Sequence, residues 1–437
     1  MKSLLSPIAL LILVIGCGRP EQEEADAYRV AAVQAASWLQ DNALARSEGT
    51  VWAADPQDTT TVTTNLYSGS SGVVLFFLEA YRVTGQTAYL DQARAGADYL
   101  LATLPDTLGP GQNGLYTGVA GLGFVLEETY HTTEDEAYRE GARRCVDLLK
   151  TYAETTENGV TWGGVTDIVS GSAGTGLFLL YAARRMDHPD ALDLAVRAGR
   201  ELVAQRIAEA DGAKWAMHAA FPRLMPNFSH GTAGVAYFLT ELYRATNDST
   251  FLDTALEGAA YLRGATNDDG LLFHHEPDGE DLFYLSWCHG PPGTARLYYR
   301  LWQVTEDEAW MEAVHEAARS VIHTGIPDTL TAGFWNNVGQ CCGSAGVAAF
   351  FHALYQITER PEYRDFARHV TENLLARATT TEAGLSWIQA EHRVEPDNLV
   401  AQTGFMQGAA GIGMWLLRLS TGEQDAATRI TLPDSPW

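Results

Sequence analysis

The stretch Gly231-Thr232-Ala233-Gly234, followed by the apolar run 235–239 (VAYFL), decides the fold because it is one of seven copies of the same pattern. Each copy has a glycine, two residues that are small in most copies, a second glycine and a long apolar run. The seven glycine pairs are Gly69/Gly72, Gly118/Gly121, Gly171/Gly174, Gly231/Gly234, Gly290/Gly293, Gly343/Gly346 and Gly408/Gly411. Successive first glycines lie between 49 (118 − 69) and 65 (408 − 343) residues apart, which indicates a repeat architecture.

Each period of the repeat contains two helical patterns. After Gly72, the run 73–81 (VVLFFLEAY) is apolar nearly all round, which predicts a buried inner helix. Residues 89–104 carry apolar side chains every three or four positions with charges between them, which predicts an amphipathic outer helix. The turn 133–136 (TEDE) has the form of a capping box. Strand signals are sparse, so the sequence predicts an all-α protein.

The glycines at the start of each inner helix indicate how the helices are arranged. Seven helix N-termini that converge on one axis leave little room for side chains, and glycine also permits a positive φ before a helix. Neither end of the chain shows a polar capping repeat, which favours a closed ring over an open solenoid. The sequence therefore predicts an α/α toroid of seven helical hairpins and fourteen helices, with the glycine turns gathered at one mouth.

Composition limits the partners of this chain. It has 437 residues, of which 46% are hydrophobic, so it can bury a large core. Its 55 acidic and 29 basic residues give a net charge of −26. Nucleic acid would be repelled by this charge and is excluded as a partner.

The first residues indicate an address outside the cytoplasm. Lys2 is followed by the apolar run 4–15, which is typical of a secretory leader and too short for an ordinary membrane span. The run ends at Gly16-Cys17, which resembles the lipobox of bacterial lipoproteins. We therefore expect a leader at 1–16, a lipidated Cys17 that begins a polar tether at 17–29, and a toroid domain at 30–437. The protein would be an exported lipoprotein of the cell envelope, held to the membrane only by its lipid; a plain anchor or an uncleaved signal is the alternative.

Three of the five cysteines break the repeat. Cys145 has apolar neighbours at helical spacing and is interpreted as a core residue. Cys288 precedes the fifth glycine pair, and Cys341 and Cys342 precede the sixth. Adjacent cysteines rarely bridge each other, and pairing Cys288 with either one leaves an odd thiol, although free thiols or a disulfide stay open. Three thiolates suit one zinc ion with a fourth position open, a softer ion such as Cu(I) is also compatible, and His289 is an alternative fourth ligand.

Two other repeat starts carry ionisable residues. Asp167 lies four residues before Gly171, and His230 lies directly before Gly231. A histidine with a carboxylate to orient it forms a candidate acid/base pair, whereas the alternative is that both satisfy backbone groups at a crowded axis. The segment 274–281 (HHEPDGED) could cover the mouth or bind a cation, but a solvated loop is favoured.

On these motifs the chain resembles the lanthionine synthetase C-like family, from about residue 30 to residue 420. The motifs that carry the resemblance are Asp167-Ile168-Val169-Ser170-Gly171, Ser229-His230-Gly231-Thr232-Ala233-Gly234, Trp287-Cys288-His289-Gly290-Pro291-Pro292-Gly293 and Cys341-Cys342-Gly343-Ser344-Ala345-Gly346. The resemblance implies an α/α toroid with one zinc ion at its mouth, ligated by Cys288 and Cys341, with Asp167 and His230 as acid/base residues. It also implies addition of a thiol to a dehydrated Ser or Thr residue, with a peptide or a small thiol as substrate.

The chain departs from the commonest family pattern at three positions. The sixth unit reads Cys341-Cys342-Gly343 where Cys-His-Gly is commonest, which resembles the three-cysteine subset of these cyclases. Tyr284 stands where bacterial cyclases usually carry an arginine, and His289 stands where they often carry a tyrosine. Without this arginine, we expect less efficient cyclisation.

Two other functions remain compatible with a helical toroid. A glycoside hydrolase-like barrel needs two carboxylates that flank the scissile bond, and Asp167 alone occupies a repeat start, so the acidic loop would have to supply the second. A lipid-anchored protein that binds zinc or a thiol without catalysis would use the same mouth. The oligomeric state is not predicted.

Overall fold

Fourteen α-helices make up most of the part of the chain that the computed structural model describes, residues 20–221, 223–421 and 429–437. Seven of them begin at the glycine pairs and form the inner layer. These are α2 (Ser70–Thr84), α4 (Val119–Thr133), α6 (Ser172–Arg185), α8 (Thr232–Thr246), α10 (Pro291–Thr305), α12 (Ser344–Thr358) and α14 (Ala409–Thr421). The outer layer comprises α1 (Pro20–Asp41), α3 (Thr87–Ala102), α5 (Glu136–Thr151), α7 (Ala191–Ala204), α9 (Ser249–Ala265), α11 (Glu308–His323) and α13 (Pro361–Ala376).

The inner helices close into a ring. Each packs against the next inner helix in chain order, and α14 packs against α2. Six inner helices also pack against the outer helix that follows them, whereas α14 pairs with α1 from the other end of the chain. The predicted α/α toroid is therefore confirmed, but its seventh helix pair is formed by two ends of the sequence and is not a hairpin.

The beginning of the described chain differs from the predicted tether. Residues 20–29 belong to α1, and Tyr28 is buried in the core. Glutamate and alanine are good helix formers, and the Tyr28 hydroxyl donates to Glu24 one turn earlier. The predicted leader 1–16 and Cys17 lie outside the described residues. Within those residues, we find no helix with the length and apolar character that a membrane span requires.

Short β-hairpins connect several helices, although strand signals in the sequence are sparse. The described part of the chain contains five antiparallel pairs: β1 (Leu44–Arg46) with β2 (Gly49–Val51), β3 (Glu154–Thr155) with β4 (Val160–Thr161), β5 (Ile207–Glu209) with β6 (Gly212–Lys214), β7 (Thr379–Thr381) with β8 (Gly384–Ser386), and β9 (Ile388–Ala390) with β10 (Leu399–Ala401). Four of the pairs are followed by a tryptophan whose indole N–H donates to a leucine carbonyl 13 positions earlier, near the end of an outer helix. These bonds are Trp52 to Leu39, Trp162 to Leu149, Trp215 to Leu202 and Trp387 to Leu374.

A ring of backbone hydrogen bonds joins the seven glycine turns. The participating residue lies two positions before the first glycine of each unit, except that Ile168 donates in place of Val169 in the third unit. Around the ring, the N–H groups donate from Tyr67 to Tyr116, Tyr116 to Val169, Ile168 to Ser229, Ser229 to Cys288, Cys288 to Cys341, Cys341 to Met406, and Met406 back to Tyr67. We call this arrangement the rosette. It fixes the side chains of all seven turns at one end of the toroid.

The glycines have a steric role in this rosette. The predicted positive φ is wrong: the first glycines have negative φ, for example −99° at Gly69 and −145° at Gly231. A Cβ on the second glycine would overlap the carbonyl oxygen of the residue six positions earlier, as Gly234 illustrates with Phe228. The preceding loop therefore passes too close to the helix start for any side chain.

Candidate functional site

The rosette brings Cys288, Cys341 and Cys342 together. Cys288 and Cys341 occupy equivalent positions in adjacent units, and the Cys288 N–H donates to the Cys341 carbonyl at 3.0 Å. The Cys342 Sγ lies 3.3 Å from the Cys288 Sγ and 3.3 Å from the Cys341 Sγ. All three sulfurs lie within 4.8 Å of one another. The structure therefore places three potential metal ligands around one point.

The donor set fits a tetrahedral metal ion. Sulfurs at about 2.3 Å from a tetrahedral zinc ion lie about 3.8 Å apart, which falls between the observed 3.3 Å contacts and the 4.8 Å limit. Burial raises the pKa of the Cys288 and Cys341 thiols well above the usual range, whereas a hydrogen bond from Cys288 lowers the pKa of Cys342. A cation would be needed to hold all three as thiolates. Three sulfurs leave a fourth position for water or a substrate atom.

His230 and Asp167 form a close pair beside the cysteines. The His230 Nδ1 lies 2.5 Å from the Asp167 Oδ2, and the Asp167 Oδ1 accepts the Ser170 N–H at 2.7 Å. Asp167 is fully buried, while the His230 side chain is 29% exposed. The buried carboxylate can therefore fix the orientation of the imidazole, whose other nitrogen remains available to a substrate.

The cysteines and His230 open onto a single cavity of about 300 Å³. Asp167 stands behind His230 and orients it without lining the cavity. The arrangement places three potential metal ligands and an imidazole paired with a carboxylate at one cavity.

A family model described as lanthionine synthetase C-like protein matches residues 60–432. The chain belongs to the lanthionine synthetase C-like family. A nisin cyclase has the same fold, with a TM-score of 0.64 and 15% identity over 90% of this chain and 93% of that one.

Two further matches are weaker. A protein from Danio rerio named glutathione S-transferase LANCL1 is 25% identical over 135 residues, which span 31% of this chain and 31% of that protein. An α-1,6-mannanase of Salegentibacter sp. HEL1_6 aligns with a TM-score of 0.48 and 16% identity over 90% of this chain and 98% of that one.

One wall of the cavity in this lanthionine synthetase C-like chain is aromatic. The His289 ring lies 4.3 Å from that of His274 and 5.2 Å from that of Tyr284, measured between centroids. Burial lowers the pKa of His289 well below its ordinary value, which favours the neutral imidazole. Among the described residues, the group of potential metal ligands contains the three cysteines and not His289. The alternative of His289 as fourth ligand is therefore not favoured.

Tyr284, at the position where bacterial cyclases usually carry arginine, belongs to the same wall. Burial raises the pKa of Tyr284 to about 12, and Arg393 opposes this effect. Arg393 lines the cavity from the loop between β9 and β10. A guanidinium is thus present at the cavity, although it comes from another part of the chain.

Gln407 is a site residue that the sequence analysis missed. Its Nε2 donates to the Tyr67 hydroxyl at 3.0 Å and contacts the Cys342 Sγ at 3.6 Å. Its Oε1 accepts from the Asn337 Nδ2 at 2.8 Å. A signal was available, because Gln407 directly precedes its glycine just as His230 and Cys342 precede theirs.

Other predicted features have simpler roles. From the segment 274–281, His274 and His275 line the cavity, but the acids do not. Glu276 instead pairs with Lys214 at 2.7 Å, so this segment does not supply the second carboxylate of a hydrolase. Cys145 is fully buried in the core, as predicted.

Proposed function

We propose that this chain is a zinc-dependent enzyme that adds a thiol to the β-carbon of dehydroalanine or dehydrobutyrine in a peptide, forming a thioether. The observation that carries the proposal is the convergence of three cysteine sulfurs and the His230–Asp167 pair on one cavity. Membership of the lanthionine synthetase C-like family supports it.

Cys288, Cys341 and Cys342 would hold the metal. When bound, zinc supplies positive charge that lowers the pKa of a substrate thiol and so favours the nucleophilic thiolate. A third cysteine in place of an imidazole would add negative charge around the metal, which would favour a more nucleophilic substrate thiolate. Gln407 restrains Cys342 through its contact with the Sγ.

His230 would complete the addition. When the substrate sulfur bonds to the β-carbon, the π-electron pair moves to the α-carbon and its carbonyl, giving an enolate. His230 delivers a proton to the α-carbon, so that the proton lost from the thiol is replaced on the product. Asp167 holds the Nδ1 side of the ring and aims the other nitrogen at the cavity. General acid catalysis of this kind contributes about 10²–10⁴-fold to the rate.

The test is thioether formation on a dehydrated peptide that contains a cysteine, followed by mass spectrometry and thiol titration. We expect His230→Ala to slow the reaction by about 10²–10⁴-fold because the proton donor is lost. His369→Ala is the control, since His369 is exposed and does not line the cavity. Its Nε2 lies 2.9 Å from the Asp328 Oδ2. A loss of less than tenfold in His230→Ala would remove this residue from the mechanism.

Metal analysis separates the proposal from its alternatives. We expect one zinc per chain in the wild type and loss of zinc in Cys288→Ser. Cys145→Ala should retain the zinc, because Cys145 is a core residue. Stoichiometric zinc would speak against a glycoside hydrolase-like barrel. If the protein bound zinc but formed no thioether, either from a peptide cysteine or from added glutathione, it would be a binding protein. That result would contradict the proposed enzyme.

A further inference from the structure

A second cavity lies at the other end of the toroid, where the inner helices end. Its volume is about 890 Å³, and it is lined by the C-terminal parts of α2, α4, α6, α8 and α10 together with the segment 429–437. A helix of 15 residues, such as α2, is about 22 Å long. This cavity is therefore separate from the cysteine site, which lies at the beginning of the same helices.

Positive charge is concentrated in this second cavity. Among the described residues, six arginines and two glutamates line it, which gives six minus two, a net charge of +4. The arginines are Arg82, Arg184, Arg185, Arg244, Arg300 and Arg429, and the glutamates are Glu128 and Glu241. The whole chain, in contrast, has a net charge of −26. A concave site whose charge opposes that of its protein focuses the electrostatic field on anions.

Internal ion pairs use both glutamates but not all of the arginines. Glu128 binds Arg82 at 3.0 Å, and Glu241 binds Arg244 at 2.8 Å as well as Arg300. Arg184 and Arg185 are exposed at the cavity, and neither has an ion pair within the described part of the chain. These two adjacent guanidinium groups remain available to a ligand.

The negative ends of the helix dipoles do not cancel this positive charge. Each helix C-terminus carries about half a negative charge, so five helices contribute about −2.5, which is less than the +4 of the side chains. The remaining excess is positive. Guanidinium groups present paired N–H donors that match phosphate oxygens in a bidentate geometry.

We propose that this second cavity binds a phosphate-bearing anion, with Arg184 and Arg185 as the principal contacts. The phosphate could be carried by a soluble polyphosphate or by a lipid headgroup, since both present the same oxygens. This site goes beyond the proposed thiol addition, because it lies at the opposite end of the helices from the cysteines.

Isothermal titration of the full chain with inorganic tripolyphosphate tests the proposal. We expect the double variant Arg184→Gln/Arg185→Gln to bind at least tenfold more weakly than the wild type. The control Arg29→Gln/Arg46→Gln removes two exposed arginines outside this cavity and should bind as the wild type does. The proposal would be overturned if the wild type did not bind tripolyphosphate at millimolar concentrations. It would also be overturned if the Arg184/Arg185 variant bound with the same affinity as the wild type.

Two further measurements make the result specific. Flotation with phosphatidylglycerol and phosphatidylcholine vesicles identifies the source of the phosphate. Weaker binding of the Arg184/Arg185 variant than of the wild type to phosphatidylglycerol indicates a lipid headgroup. Equal binding of the two proteins indicates a soluble phosphate. Any contribution of the N-terminal apolar segment is the same in both proteins. Thioether formation should be unchanged in this variant, so that the fate of the phosphate site and that of the proposed function can be distinguished. An unchanged thermal unfolding temperature excludes misfolding.

Discussion

Asp167 illustrates how single side chains set the chemistry of the cavity. One of its oxygens is held by the Ser170 N–H, and the other faces the His230 Nδ1. In Asp167→Asn, the amide oxygen would keep the Ser170 bond while the NH₂ group faces His230 and moves the ring proton to Nε2. We expect kcat to fall by about 10²–10⁴-fold with little change in zinc content, because the stabilising carboxylate and the correct tautomer are lost.

Steady-state rates measured alongside zinc content check this prediction. Ser170→Ala is the matched control, since Ser170 contacts Asp167 through its backbone N–H and keeps that bond. If Asp167→Asn raised KM and left kcat unchanged, Asp167 would serve substrate binding and not proton transfer.

At the scale of elements, the start of each inner helix depends on the second glycine of its pair. A Cβ on Gly234 would overlap the Phe228 carbonyl oxygen and lie 2.5 Å from the Ile168 Cγ1. We expect Gly234→Ala to lower the free energy of unfolding by about 1–3 kcal/mol or more, because Ile168 belongs to the rosette, Phe228 directly precedes the rosette residue Ser229, and neither can move freely.

Gly264→Ala provides the matched control for this element. Gly264 lies near the end of α9, and a Cβ there meets nothing within 4 Å. Alanine should raise stability by about 0.5–1 kcal/mol at that position, as expected for a helical glycine. Urea denaturation measures both changes, and equal effects of the two substitutions would contradict the steric explanation.

At the scale of the whole molecule, an ion pair between a buried glutamate and a partly buried arginine joins the two ends of the ring. Arg418 of α14 donates to both oxygens of Glu79 in α2, at 2.7 and 2.9 Å. Glu79 also accepts the Ile430 N–H at 2.9 Å, which attaches the C-terminal segment. We expect Glu79→Gln to destabilise the fold by about 1.5–3 kcal/mol, because it removes the buried counter-charge of the partly buried Arg418 and weakens charge-assisted hydrogen bonds.

Chemical denaturation, with Glu312→Gln as the control, tests this closure. The Glu312–Arg319 pair is exposed, so its loss should cost less than about 1 kcal/mol. A similarly small effect for Glu79→Gln would mean that packing of α1 and α14 alone closes the ring.

The sequence predictions succeeded where a feature depends on residues that are close together in the sequence. Helix pairs, their inner and outer faces and the repeat were predictable, since apolar spacing and glycine pairs are local features of the sequence. The β-hairpins were not, because strands of two or three residues show no periodicity. The recurring Gly-x-x-Trp that ends four of them, as in Gly212 to Trp215, was a usable signal that we did not read.

The sequence by itself determined the number of helical units, the depth at which each helix is buried and the residue types available at each turn. Tertiary structure decided the rest: that α1 completes the seventh pair, that Cys288 meets Cys342, and that Gln407 and Arg393 reach the same cavity. The physical reason is that ring closure and the rosette hydrogen bonds join residues from different repeats. Such contacts depend on the angle between successive helix pairs, which no local pattern of residues specifies.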